Sequence, residues 1–191
     1  MQLNESFVYT HSCLPTVGDT ITDITYNSDV VGLEFESGKT LSVFMSKQYA
    51  TVISAFPGTG KSYFFQKFKD KVEIHDSDSS TFDKDNFPEN YLEHIKALMT
   101  TDKKTILVSS HEEVRNALVE NGIKFYLIYP DKALKDEYIE RYKERGSDES
   151  FIKMMEDKFE EFVDSCDSMD NELVHKIKIT EPNTFITDIL E

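Results

Sequence analysis

Short runs of apolar and β-branched residues alternate with segments of helical spacing from Ala50 to the end of the chain. Such alternation is typical of βαβ units, whose strands form a parallel sheet. The sequence therefore predicts an α/β fold, with a parallel five-stranded sheet flanked by helices. The five apolar runs are "ATVISAF", "KVEIHD", "KTILVSS", "KFYLIYP" and "HKIKIT".

Between these runs, apolar residues recur at the spacing of one helix face. The first helix follows a Gly-rich turn and is predicted over 61–70, and the last follows Pro182 and Asn183. We expect the apolar stripes to face the core. They comprise Tyr91, Leu92, Ile95, Leu98 and Met99; Val114, Ala117 and Leu118; Leu134, Tyr138, Ile139 and Tyr142; Phe151, Ile152, Met155, Phe159, Phe162 and Val163; and Phe185, Ile186, Ile189 and Leu190.

Residues 1–49 differ from the rest because they alternate Thr, Val, Ile and Phe with polar residues. The pattern predicts a small β-rich N-terminal extension, a meander with a tight turn at Ser37 and Gly38. It contains no catalytic constellation, so we interpret it as a structural or interaction module. A protein partner or self-association would use this surface. The predicted domains are therefore 1–49 and 50–191.

Charge and composition narrow the class of ligand. The formal net charge is -15, which argues against binding long nucleic acid and leaves room for a local basic pocket that takes a small anion. Cys13 and Cys166 have no CxxC or Cys/His spacing, which argues against a disulfide framework or a zinc site. No apolar run reaches the ~18 residues of a membrane span. We expect a soluble, cytoplasmic protein that does not associate with membranes.

One stretch carries a specific chemical motif. "TVISAFPGTGKSYFF" places Ala55-Phe56-Pro57-Gly58-Thr59-Gly60-Lys61-Ser62 against the P-loop pattern G-x-x-x-x-G-K-[ST], with Ala55 in place of the first Gly. In that pattern backbone N–H groups surround phosphates, the lysine reaches the terminal phosphates and the hydroxyl ligates Mg²⁺. The predicted triphosphate-binding residues are Pro57, Gly58, Thr59, Gly60, Lys61, Ser62 and Tyr63.

Carboxylates follow the next apolar run, in "VEIHDSDSSTF". Asp76 is predicted at the end of a strand, where with Ser62 it would hold Mg²⁺, and Asp78 lies two residues further on. Asp78 would orient or deprotonate an attacking hydroxyl. The alternative is a solvated Asp/Ser turn without a catalytic role.

Arginine is scarce, because only three of the 21 basic residues are Arg. Arg suits bidentate phosphate contact, so Arg115, Arg141 and Arg145 are candidate catalytic residues. Arg141 and Arg145 are four residues apart, on one helical face, and Arg115 is predicted on the acceptor side of the cleft. The alternative for the pair is ordinary ion pairing with Asp136, Glu137, Glu140 or Glu144.

Over residues 50–191 the chain resembles the small P-loop kinases, the group of nucleoside monophosphate kinases, shikimate and gluconate kinases and 5'-hydroxyl polynucleotide kinases. The resemblance rests on "FPGTGKS", on "DSD" and on the Arg-containing segment, and it extends to kinase-like proteins of tailed bacteriophages. It implies Mg²⁺ at Asp76, the acceptor hydroxyl at Asp78 and a mobile lid over about 131–150. The third strand ends in Ser109 and Ser110, so a conventional Walker B aspartate is missing.

These features predict an ATP- and Mg²⁺-dependent phosphotransferase, with a nucleoside triphosphate as donor and a small acceptor, most simply a nucleoside or nucleotide. Two alternatives stay open: a 5'-hydroxyl polynucleotide kinase, and a non-catalytic nucleotide-binding module. The aromatic residues Phe82, Phe87 and Tyr91 would either stack on a base of the acceptor or fill the core.

Overall fold

The structure is a computed structural model that describes residues 50–99 and 104–190 in full. In the earlier part of the chain it describes the backbone of 6–10, 21–26, 30–37 and 40–46. The chain divides into two compact units, Met1–Gln48 and Tyr49–Glu191, and each is described by itself. Cys13 and Gly38 lie outside the described residues.

The first unit has a four-stranded antiparallel sheet. Its strands are β1 (Ser6–Thr10), β2 (Ile21–Tyr26), β3 (Val30–Phe35) and β4 (Thr40–Ser46), in the spatial order β1-β4-β3-β2. Strands β2, β3 and β4 are successive antiparallel neighbours, as in a meander, and β1 pairs with β4. A turn at Glu36 and Ser37 follows β3.

The second unit contains the five-stranded parallel sheet that the apolar runs predict. Its strands are β5 (Thr51–Ala55), β6 (Ile74–Asp76), β7 (Thr105–Ser109), β8 (Phe125–Pro130) and β9 (Val174–Ile179). All neighbouring pairs are parallel, in the order β6-β7-β5-β8-β9. The predicted α/β fold class is confirmed.

The described part of this unit contains six helices: α1 (Lys61–Phe68), α2 (Glu89–Met99), α3 (Glu112–Glu120), α4 (Lys135–Glu144), α5 (Glu149–Asp167) and α6 (Ile186–Leu190). Short 3₁₀ turns occur at Ser79–Thr81, Lys84–Asn86 and Lys132–Leu134. Helix α1 ends two residues before the predicted boundary. No helix in the described part of the chain is long and apolar enough to cross a membrane.

The helical stripes supply the core, as their spacing predicts, except that Leu190 at the end of α6 is exposed. Among the residues buried against the sheet are Tyr91 and Ile95 of α2, Val114 and Leu118 of α3, and Met155, Phe159 and Val163 of α5. The ring centroids of Phe82 and Phe87 lie 4.9 and 5.7 Å from that of Tyr91. These three aromatic side chains therefore pack into the core, which decides between the two interpretations of them.

The strand order places a cleft at the end of β5. From β5 the chain passes over β7 to reach β6, and from β7 it passes over β5 to reach β8, so the direction of winding reverses at the central strand. In open α/β sheets ligands bind outside the carboxyl ends of strands at such a reversal. The loop after β5 begins at this position.

Candidate phosphate-binding cleft

The loop between β5 and α1 has a backbone that depends on glycine. Gly58 has φ of +84° and Gly60 has φ of +94°, both in the left-handed region. A Cβ at Gly58 would lie 2.9 Å from Tyr142 Cε1, and one at Gly60 would lie 3.1 Å from Phe185 Cδ1. Neighbouring side chains therefore hold the loop from outside, and it has no room for larger residues at these two positions.

Three carbonyl groups of the loop accept hydrogen bonds from residues far along the chain. The pairs are Tyr142 Oη to Pro57 O at 2.9 Å, Arg141 Nη1 to Gly58 O at 2.9 Å and Ile186 N to Thr59 O at 2.9 Å. Because these carbonyl oxygens are bonded to protein donors, the N–H groups of the loop are left to face a ligand in the cleft.

Those N–H groups and the start of α1 make an anion site. Helix α1 begins at Lys61 after Gly60, and no side chain caps its first turn. Among the residues that the structure describes, none accepts from the N–H groups of Gly58, Gly60 or Lys61. Unpaired N–H groups at a helix N-terminus, with the helix dipole behind them, are a ready site for phosphate.

Lys61 lies within this loop as a half-buried cation. Its Nζ donates to Ala55 O and, at 3.4 Å, to Phe56 O, so the ammonium bonds to carbonyls rather than to a carboxylate. Burial lowers its pKa from 10.5 to about 8, and the charge of nearby Asp76 opposes the change. A bound phosphate would supply the negative charge that the ammonium lacks in direct contact.

Asp76 ends β6 on the opposite side of the cleft. Burial raises the pKa of its carboxyl, while the Lys61 charge and a hydrogen bond to Ser62 lower it. Asp76 and Ser62, the two residues predicted to hold Mg²⁺, both line the cleft. Among the described residues no group of three or more His, Cys, Asp or Glu could hold a metal ion by protein ligands alone. Mg²⁺ is commonly held by one or two carboxylates together with the oxygens of a phosphate ligand.

Asp78 lies at the exposed edge of the same side. Its carboxylate accepts from Ser80 N at 2.9 Å and so caps the 3₁₀ turn Ser79–Thr81. The alternative interpretation of Asp78, a polar Asp/Ser turn, is thus present in the structure. Asp78 also lines the cleft. The adjacent Ser77 Oγ is buried with no hydrogen-bond partner among the described residues, and Ser77 lines the cleft too.

The cleft has a volume of about 920 Å³ and gathers most of the predicted site. Its lining includes Pro57, Gly58, Gly60, Lys61, Ser62, Tyr63, Asp76, Asp78, Arg141 and Arg145. Thr59 is the exception in the loop. It is fully buried, and both its N–H and its hydroxyl donate to Phe56 O, so it supports the turn from behind instead of facing the ligand.

The predicted lid, 131–150, differs from the expectation. Helix α4 packs against the loop with Tyr138 and Tyr142 both at 0% exposure. Their ring centroids lie 6.4 Å apart, and both contact the space next to Gly58. Helix α4 is therefore a wall of the cleft, because its aromatic face is needed to cover the loop.

Arg141 is engaged by protein groups. It pairs with Glu137, donates to the Gly58 and Thr184 carbonyls, and lies 4.1 Å from the centre of the Phe185 ring. The ion pair was one of the two interpretations of this residue. In the structure Arg141 ties the loop to the segment before α6, which makes it a positioning residue for the loop rather than a free phosphate ligand.

Arg145 is exposed at the cleft, and its contact with phosphate stays a prediction. Its Nε donates to Ser147 Oγ at 2.6 Å, and its guanidinium lies over Tyr142 and Phe151. It has no carboxylate partner within the described residues, it lines the cleft, and its charge helps to lower the pKa of Lys61. Arg145 is therefore available to a phosphate.

Arg115 lies on α3, after β7, as the sequence predicts, but its guanidinium is buried between α3 and α5. The side chain is 2% exposed, and each of its nitrogens donates to a protein acceptor between α3 and α5. The acceptors are Ser110 O at 3.0 Å, Ser165 O at 2.9 Å and Ser165 Oγ at 2.7 Å. The interpretation of Arg115 as a catalytic residue is wrong, because a buried guanidinium must satisfy its donors locally and these are already satisfied.

Sequence reasoning missed several residues that line the cleft or support its loop, among them Tyr142, Phe185, Ser77 and Lys84. Tyr142 and Phe185 are indistinguishable from core positions in a helical stripe. Lys84 lines the cleft and donates to Ser79 O at 3.0 Å. The only available signal for Ser77 and Lys84 is their proximity in sequence to "DSD".

The chain matches no protein-family model and no curated protein. Among solved structures it is similar to an uncharacterized protein from Eubacterium ventriosum ATCC 27560, with a TM-score of 0.40 and 19% sequence identity. The similarity covers 75% of this chain and 94% of that one. At this TM-score the similarity carries no argument about function.

Proposed function

We propose that the protein is an ATP- and Mg²⁺-dependent phosphotransferase that acts on a small acceptor. The observation that carries the proposal is the loop itself. Three of its carbonyls accept hydrogen bonds from distant residues, and the N–H groups of Gly58, Gly60 and Lys61 lack acceptors among the described residues. A half-buried ammonium lies within it. This arrangement is complementary to a polyphosphate.

The residues across the cleft supply the rest of the chemistry. The acceptor hydroxyl oxygen forms a bond to the γ-phosphorus while the bond from that phosphorus to the β–γ bridging oxygen breaks, with ADP as leaving group. The hydroxyl proton passes to a carboxylate, for which Asp78 is the candidate. Lys61 and Arg145 stabilise the charge on the transferring group. The products are ADP, a phosphate monoester and one proton.

Ser62 and Asp76 would hold Mg²⁺ together with the phosphates. Both residues line the cleft beside the loop. The metal ion would neutralise charge on the β- and γ-phosphates. The raised pKa of Asp76 fits a carboxylate that is buried without a full positive partner, which a cation would provide.

The first test is Lys61→Ala, with Lys69→Ala as the matched control on an exposed position just beyond α1. Lys61→Ala should remove most ATP affinity, turnover or both, because it deletes the charge that contacts the γ-phosphate. Lys69→Ala should leave both unchanged. Calorimetry with ATP and transfer of labelled γ-phosphate are the measurements. Unaltered ATP affinity and turnover in Lys61→Ala would exclude the loop as a triphosphate site.

The acceptor panel in the transfer assay should contain nucleosides, nucleotides and 5'-hydroxyl oligonucleotides. Transfer to small acceptors alone supports the proposal, and transfer to oligonucleotides identifies a polynucleotide kinase instead. Tight ATP binding without transfer to any acceptor would favour a non-catalytic nucleotide-binding module.

A further inference from the structure

A second cavity lies beside the loop, between the start of α3 and the length of α5. Its volume is about 580 Å³, within the range of small-molecule sites in proteins. Most of its wall is apolar, although it opens to solvent along α5. The apolar lining residues are Phe56, Pro57, Phe151, Met154, Met155 and Phe162.

This cavity adjoins the phosphate cleft. Pro57, Ser110, His111 and Phe151 belong to both linings, and we call the position of these four residues the junction. Pro57 belongs to the loop, and Ser110 follows the end of β7. A molecule whose body fills the apolar cavity would therefore present its near end to the cleft that holds the transferring phosphate.

The charge of the cavity selects against anions. Glu112, Glu113 and Glu161 line it, and all three are exposed carboxylates. The only cationic side chain among its lining residues is Arg115, whose nitrogens already donate to Ser110 and Ser165. A phosphate placed here would meet like charge without a free cation to pair with.

We propose that this cavity binds the body of the acceptor, and that the acceptor is an uncharged, nucleoside-sized molecule with a hydroxyl group rather than a nucleotide that already carries phosphate. The inference rests on the proposed function of the cleft. The apolar wall packs against the flat or branched body of the acceptor, and the hydroxyl lies at the junction, facing the γ-phosphate. Transfer then follows the bond changes given above.

Binding can be measured without turnover, on the full chain. Adenosine, guanosine, cytidine and thymidine, and the 5'-monophosphate of each, are titrated into the protein by calorimetry, with and without a non-hydrolysable ATP analogue. We expect at least one nucleoside to bind about tenfold or more tightly than its own monophosphate. Tighter binding of the monophosphates, or no nucleoside binding, would overturn the inference.

Two variants locate the binding. Met154 is 40% exposed on the cavity wall, so Met154→Gln should lower nucleoside affinity roughly fivefold without unfolding the protein. Lys158→Gln, one helical turn away on α5 and outside the cavity, is the control and should change nothing. Equal nucleoside affinity in Met154→Gln and wild type would place the acceptor elsewhere.

The charge argument has its own variant. Glu161→Lys should improve binding of the monophosphates relative to the nucleosides, because it replaces a like charge by an opposite one. Asp157→Lys makes the same change of charge on the preceding turn of α5, outside the cavity lining. An equal gain in both variants would reduce the effect to net charge and contradict a specific site.

These outcomes are separable from failure of the proposed function. If ATP does not bind, the proposed function fails, but the nucleoside titrations still decide what the cavity takes. If ATP binds and nucleosides do not, the cavity assignment fails alone.

Discussion

The two sides of the phosphate cleft are held in different ways. The loop side depends on partners distant in the sequence: Tyr142 and Arg141 donate to loop carbonyls 85 and 83 residues before them. On the acidic side, Asp78 and Asp83 accept from N–H groups only two residues further on. One side is assembled by the tertiary fold, the other mainly by local turns.

The contrast assigns different tasks to the two sides. A loop fixed by tertiary bonds presents its N–H groups at a set geometry, which suits electrostatic stabilisation of phosphate charge. A side built from short turns at the surface tolerates change in sequence and can adapt to an acceptor. We therefore expect changes on the loop side to lower ATP affinity, and changes on the acidic side to lower turnover while ATP affinity is retained.

Asp78→Asn should have the largest effect, because it removes the proposed base or orienting group. Turnover should fall by roughly 10²–10⁴-fold while ATP affinity stays near wild type. Asp83→Asn is the matched control, since Asp83 caps the following 3₁₀ turn in the same way but does not line the cleft. Transfer of labelled phosphate is measured for both variants. Normal turnover of Asp78→Asn with its true acceptor would reduce "DSD" to a polar turn.

Gly58→Ala tests the loop side. The alanine must adopt a left-handed φ of +84°, and its methyl group would lie 2.9 Å from Tyr142 Cε1. The free energy of unfolding should therefore fall by about 2–4 kcal/mol, and ATP affinity should fall with it. Gly146→Ala is the control for conformation alone, because Gly146 has φ of +73° and nothing within 4 Å. It should lose about 1 kcal/mol. Urea unfolding measures both; equal losses would show that packing against α4 contributes little.

The pH dependence of stability and of ATP affinity tests Lys61, whose pKa responds to the charge of Asp76. Lys61 has a pKa of about 8 in the folded protein against an ordinary value of 10.5. Between these values the unfolded chain binds more protons, so stability without ligand should rise as pH rises through this window. ATP requires the protonated ammonium, so its affinity should fall above pH 8, by up to about tenfold per pH unit. Calorimetry from pH 7 to 10 checks this, and Lys61→Ala should abolish both trends.

The sequence predicts the strands and the loop motif better than the contacts that hold the loop in place. The five strands and the helical stripes are predicted by periodicity. Gly60, Lys61 and Ser62 are predicted by the P-loop motif, which gives each of these residue types a chemical role at its position. The bonds behind the loop could not be predicted, because Tyr142 and Ile186 approach it only through the tertiary fold. Arg115 shows the same limit. The scarcity of Arg made it a candidate catalytic residue, but its burial depends on the packing between α3 and α5, which the sequence does not reveal.

The smallest expected effects come from removing one hydroxyl on each side. Tyr142 and Tyr91 are both fully buried; Tyr142 donates to Pro57 O, whereas Tyr91 donates to Ser77 O and accepts from Ser109 N.

Tyr142→Phe leaves one loop carbonyl without its donor and should lower stability by about 1 kcal/mol, with a parallel loss of ATP affinity. Tyr91→Phe leaves two groups unpaired and should lower stability by about 2 kcal/mol, with ATP affinity retained and turnover reduced, since Ser77 adjoins the acceptor side. Urea unfolding, ATP titration and phosphate transfer on both variants measure these changes in stability, ATP affinity and turnover. If the two variants change ATP affinity equally, the cleft responds as one unit, and the division between a tertiary and a locally held side is wrong.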